Sequence, residues 1–213
     1  MSLLLSTVVF LLFVPVFLVL TQDAQIFPGA VTSIFKSNTR DPRTLPSEVE
    51  SVFIETDDGK RLEVWRLPAL EDEEKKPYTA LVFHGNAGSL ENFLLLQLWF
   101  QEQGITSYSF DYRGFGKSQG WPSEQGIYTD SDTFYRYVSE REGSTPETTI
   151  ILGFSVGGAF ASKVAAEQQV KTLILVSAFS SITELLRNIP LFRNLAPFCR
   201  YVLPTAEHVA KLE

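Results

Sequence analysis

The chain has 213 residues, 45% of them hydrophobic and 20% charged, which suits one domain with a real core and argues against disorder. Its formal charge of −7, pI near 5.0 and lack of clustered Lys and Arg speak against a nucleic-acid partner. The single cysteine, Cys199, cannot close an internal disulfide and, between Phe198 and Arg200, reads as a buried structural thiol rather than a reactive one.

In chain order, the first segment is MSLLLSTVVFLLFVPVFLVL, and no charged residue occurs between Met1 and Gln22. A helix of about 20 residues rises about 30 Å, the thickness of the hydrocarbon layer, so residues 1–22 are expected to form an uncleaved single-pass membrane anchor. The rival is a cleaved signal peptide. That would carry an apolar region of only about 7 to 15 residues behind a basic residue, whereas the first basic residue here is Lys36. With so little positive charge to count, orientation and organelle stay open.

Residues 23–48, with Pro28, Pro42 and Pro46, read as a linker without clear periodicity. SVFIET and RLEVWRL then flank DDGK, a hairpin signature, and EDEEKKP reads as a solvated charged loop. Strands and helices alternate from there. YTALVF is a buried strand, SLENFLLLQLWFQEQG a helix closed by Gly104, and ITSYSFD the next strand. A helix over Glu124 to Glu140 takes Ser123 as its N-cap. TIILGF is a strand, Val156 to Gln168 a helix and VKTLILV a strand, and SITE at Ser181 to Glu184 opens another helix as a capping box. Repeated units of this length imply an α/β domain over residues 49–213, with a mostly parallel sheet and helices on both faces.

Three motifs lie at the ends of those strands. GFSVG, Gly153 to Gly157, matches GxSxG at a strand-to-helix junction, where a tight turn exposes Ser155 as a nucleophile. An ordinary serine in a glycine turn is the bland alternative. HGNAG, His84 to Gly88, follows YTALVF, and there Asn86, together with Val156 after the nucleophile, can supply two backbone N–H donors to an oxyanion. His84 and Gly85 are expected to shape that loop, with His84 not acting as the base. DYRGFGKSQGWPSEQG, Asp111 to Gly126, ends another strand.

With these motifs the chain resembles the α/β-hydrolases, and within them the membrane-anchored serine hydrolases that carry HGNAG, YRGxGxSxGxPSExG and a GxSxGG elbow, from about Val49 to Glu213. The resemblance implies an α/β-hydrolase fold and acyl-serine hydrolysis of an ester or thioester, with acyl lipids preferred. It also makes Asp111 and Arg113 structural. In the family the acid and the histidine follow in chain order on later strands, which leads to the expectation that this chain ends before them. His208, in AEHVAKLE, is an unpromising substitute base, because no strand end holds it rigidly.

Two other readings accompany this one: a non-catalytic membrane-anchored binding protein on the same fold, and a serine aminopeptidase-like hydrolase. No metal site or cofactor is expected, since HExxH, paired Cys and His, and a P-loop are all missing from the sequence. The expected partners are a small acyl or lipid substrate and the membrane.

Overall fold

The computed structural model of the chain describes residues 13–35, 46–70, 77–190 and 192–212. Most of the expected anchor, residues 1–12, lies outside them. Among the described residues no helix is long and apolar enough to cross a membrane. Residues 13–20 are helical and continue into two short helices, α1 (Gln22–Ile26) and α2 (Pro28–Phe35). A linker was the expectation for residues 23–48, but the part of that stretch up to residue 35 is helical and packed. Phe27 is wholly buried, edge-on to Phe115 and Tyr201. The reason is local: Pro28 and Gly29 read as breakers, yet proline is well accommodated in the first turn of a helix, and Gly29 fits where the ring of Phe115 leaves no room for a Cβ.

Strands β1 (Glu50–Glu55) and β2 (Arg61–Leu67) form the expected antiparallel hairpin, with Gly59 at φ 74° in its turn. The remaining strands are β3 (Thr79–Phe83), β4 (Thr106–Phe110), β5 (Thr149–Phe154) and β6 (Thr172–Val176). The sheet order is β1-β2-β4-β3-β5-β6; β2 runs antiparallel to β4, and β4, β3, β5 and β6 run parallel. Every residue of β3 is buried, as a central parallel strand with both faces covered requires.

The connecting helices are α3 (Leu94–Glu102, entered through a 3-10 turn at Leu90–Phe93), α4 (Glu124–Glu142) and α5 (Gly157–Gln168). After β6 come α6 (Ile182–Asn188), a 3-10 turn at Ala196–Phe198 and α7 (Thr205–Val209). Side-chain alternation along β3 divides the core. Ala80 and Val82 pack with Phe100 of α3 on one face, while Leu81 and Phe83 join Phe134 of α4 and Phe160 of α5 on the other. Ser123 caps α4 by accepting from Gly126 N at 3.1 Å, and Gly143 ends that helix in the left-handed region. Ser181 caps α6 in the same way, accepting from Glu184 N at 3.1 Å.

This topology fixes where a site can form. From β3 the chain goes to β4 on one side and returns to β5 on the other, so the loops at the carboxyl ends of β3 and β5 diverge and leave a crevice. HGNAG leaves β3 there, and GFSVG leaves β5 beside it.

Candidate active site

Ser155 follows the last residue of β5 and has φ 53°, a left-handed conformation that costs a non-glycine residue energy. Its amide donates to Val176 O of β6 at 2.9 Å, and its carbonyl accepts from Gly158 N of α5 at 3.0 Å, so both sides of the turn are held. The flanking glycines are required by proximity. A Cβ on Gly157 would lie 2.4 Å from the carbonyl oxygens of both Phe83 and His84, and one on Gly153 would lie 2.7 Å from Gly158 Cα. The α5 terminus thus packs directly on the backbone that leaves β3. Ser155 itself is half-buried, open on the crevice side.

The HGNAG loop rests on a buried polar and aromatic cluster. The His84 ring stacks on Tyr112 with centroids 4.0 Å apart, and Tyr112 OH donates to His84 O at 2.7 Å. His84 Nδ1 lies 2.7 Å from Gly85 O, so Nδ1 carries the proton and Nε2 faces Asp111 Oδ1 at 3.5 Å. Asp111 Oδ1 in turn accepts from Leu90 N at 2.8 Å, tying the far end of the loop to the same carboxyl. Burial pushes His84 down to about 4 and Asp111 up to about 8, so both are neutral near pH 7. His84 Nε2 has no hydrogen-bond partner among the described residues, and the neutral Asp111 carboxyl 3.5 Å away places a proton near it. Arg113 is equally committed, with Nη2 on Asp130 Oδ1 at 2.7 Å and Nη1 on Asp58 Oδ2 at 2.8 Å.

Ser155, Val156 and Asn86 share one cavity of about 310 Å³. A Cβ placed on Gly85 would be 3.6 Å from Ser155 Cβ, which shows how closely the two loops approach. One wall of the cavity comes from the segment after β6, with Phe179, Ile182, Leu186 and Phe192. The N-terminal segment lines it too, with Leu18, Val19, Gln22, Gln25 and Ile26, and sequence reasoning missed it. The signal was there in part: Gln22, Asp23 and Gln25 end an uninterrupted apolar run with groups that need partners. Gln22 finds two, donating to Phe198 O and accepting from Arg200 N, both at 2.8 Å. Asp23 accepts from Tyr201 OH at 2.6 Å and Arg200 Nη2 at 2.9 Å. Further along, Gly29 N donates to Asn86 O at 3.0 Å, so α2 braces the HGNAG loop.

The second histidine is elsewhere. His208 lies on α7 with Nδ1 3.3 Å from Ser162 Oγ, and Ser162 sits two turns along α5 from Ser155, roughly 10 Å at about 1.5 Å per residue. Burial holds its pKa below the ordinary value. Neither histidine of the chain lines the cavity at Ser155. Cys199 does line it, half-buried, with its thiol pushed up by burial and its Sγ donating to Tyr201 O at 3.3 Å, which leaves little thiolate for reaction. No carboxylate, ammonium or guanidinium is among the cavity-lining side chains of the described residues. Among those residues there is also no group of three or more His, Cys, Asp or Glu side chains that could hold a metal ion.

Comparison with known proteins agrees with this fold. Protein bem46 of Schizosaccharomyces pombe is 28% identical over 202 residues, which is 92% of this chain and 67% of that protein. The uncharacterized protein YfhR of Salmonella typhi is 32% identical over 153 residues, 66% of this chain but only 52% of its own length. The chain therefore matches about half to two thirds of these curated relatives. The crystal structure of an α/β-hydrolase from Vibrio vulnificus superposes with a TM-score of 0.67 at 21% identity, covering 90% of this chain and 71% of that one, which shows the shared fold. Residues 75–212, spanning β3 to α7 and so both loops of the crevice, match the model of the family described as serine aminopeptidase, S33. The chain belongs to that family of α/β-hydrolases.

Proposed function

We propose that Ser155 is the nucleophile of a serine hydrolase that cleaves an ester or thioester of a long acyl chain, through an acyl-serine intermediate, at a membrane. The observation that carries this reading is a serine in a strained turn, opening on an apolar cavity whose described lining has no charged group. In the first step Ser155 Oγ attacks the acyl carbonyl, and its proton passes to a base as the C–O or C–S bond to the leaving group breaks. The backbone N–H groups of Asn86 and Val156 are assigned to the developing oxyanion, with His84 and Gly85 holding the loop in shape. Neither His84, buried and neutral, nor His208, engaged with Ser162, serves as that base.

The lining also favours acyl esters over peptides with a free amino terminus. An α-ammonium group needs a carboxylate opposite it, since leaving a buried charge unpaired costs several kcal/mol. The membrane part of the proposal rests on the uncharged residues 1–22. A fluorophosphonate probe applied to membranes that contain the protein tests it. Labelling that disappears in Ser155→Ala is the expected result, and the mass of the labelled band, compared with 23.9 kDa, shows the length of chain that brings the base. A folded, membrane-bound protein that takes no label in any fraction would replace this reading with the non-catalytic one.

A further inference from the structure

The N-terminal segment is commonly the part of a membrane-anchored protein that holds it in place and does nothing else. Here its geometry gives it a second task. The helix over residues 13–20 and α1 contribute Leu18, Val19 and Ile26 to the wall of the cavity, which Ile182, Leu186 and Phe192 also line. That wall is locked at its base. Gln22 spans the segment's junction with residues 198–200 through both atoms of its amide, and it is 8% exposed, so these hydrogen bonds are shielded from water. Asp23 adds an ion pair to Arg200 and a hydrogen bond from Tyr201, and Trp121 Nε1 donates to its other oxygen at 3.2 Å. The same helix turns Phe13, Val16, Phe17 and Leu20 outward, all more than half exposed.

Resting on the reading of Ser155 as an acyl-transferring nucleophile, we infer that this segment is a substrate-binding element: Leu18, Val19 and Ile26 form the surface on which the acyl chain of the substrate lies. An aliphatic chain is the occupant that suits it, because the described lining carries no charge, its amides at Gln22 are already paired, and an apolar ligand gains by leaving water for such a cavity.

The test separates binding from hydrolysis. The full-length protein in detergent, carrying Ser155→Ala, is titrated with a fluorescent long-chain fatty acid, so that the result does not depend on Ser155 reacting. Leu18→Trp, which fills the cavity, is expected to weaken binding by at least about tenfold, and the control Val16→Trp, on the outward face, to leave it unchanged. Leu18→Ala keeps the test alive if the larger side chain upsets folding, which a urea midpoint reports; it is expected to weaken binding a few-fold. Equal affinity in the folded Leu18 variants and the control, or no saturable binding at all, overturns the inference. The two claims fail differently. Binding that is intact and sensitive to Leu18 in a protein whose Ser155 takes no probe would remove the proposed chemistry and keep the acyl site; probe labelling with Leu18-insensitive binding would do the reverse.

Discussion

At the scale of single residues, the crevice combines a serine in a strained turn with a loop held by neutral groups, and each arrangement can be probed. Gly157→Ala would place a methyl carbon 2.4 Å from two carbonyl oxygens of fixed backbone. It is expected to destabilise the fold by about 3 kcal/mol or more and to abolish Ser155 labelling, read by urea denaturation and probe reactivity. Asp111 offers a pH test. Its folded pKa, about 8, lies above the ordinary 3.8, so the stability linked to its protonated form is complete below pH 3.8 and is lost as pH rises through about 8. Asp111→Asn keeps an acceptor for Leu90 N and carries no charge. Relative to the parent chain, its melting temperature is expected to improve between about pH 5 and a pH above 8, and a parallel pH dependence in the two proteins would show that Asp111 is ionised throughout. His84 contributes in the opposite sense, since its depressed pKa gives stability that is present above 6.5 and lost as pH falls through about 4.

At the scale of elements, caps and turns carried most of the legible information. The Ser123 cap, the DDGK turn and the SITE capping signal each marked a boundary that the structure places within one or two residues, because all three act between near neighbours in sequence, the caps through a serine side chain and the turn through Gly59 at φ 74°. Ser123→Ala removes the acceptor for Gly126 N and is expected to cost about 1 kcal/mol, a fall of roughly 2–4 °C in melting temperature measured by calorimetry. Glu124, beside that cap, accepts from Val202 N at 2.8 Å and Leu203 N at 3.0 Å. Nothing local announces that bond. It joins residues far apart in sequence, and a single sequence records no such pairing. The same limit hid the cavity wall: residues 13–26 read as anchor and linker because their apolar run matches a bilayer as well as it matches a protein cleft, and only Gln22 and Asp23 tell the two apart.

At the scale of the whole molecule, the order of strands decides where a crevice can form, and the sequence carried little of that order. Alternating strands and helices gave a parallel sheet, but periodicity does not say that β3 sits between β4 and β5. The paired loops HGNAG and GFSVG bear on part of it, since they can cooperate only if β3 and β5 are neighbours, while the place of β4 has no such signal. The N-terminal segment is also part of this body. Phe27→Ala, at a side chain wholly buried between Phe115 and Tyr201, is expected to lower global stability by about 3–5 kcal/mol in a single cooperative transition. A change confined to the first turns, with the rest of the domain melting unaltered, would mean that the segment is only appended.

The glycines around Ser155 have one more consequence, which belongs to heredity more than to chemistry. Gly153, Gly157 and Gly158 are held by the closeness of their neighbours, the last with Ala178 Cβ only 2.8 Å from where its own Cβ would stand, and none of the three has a positive φ. Alanine, the smallest step away from glycine, is therefore already too large, so these codons have no gentle variants through which a lineage could drift. Val156, beside the same cavity, is itself 3% exposed and packed into the core. Selection acting on this turn would have almost no latitude in how the chain bends to present Ser155.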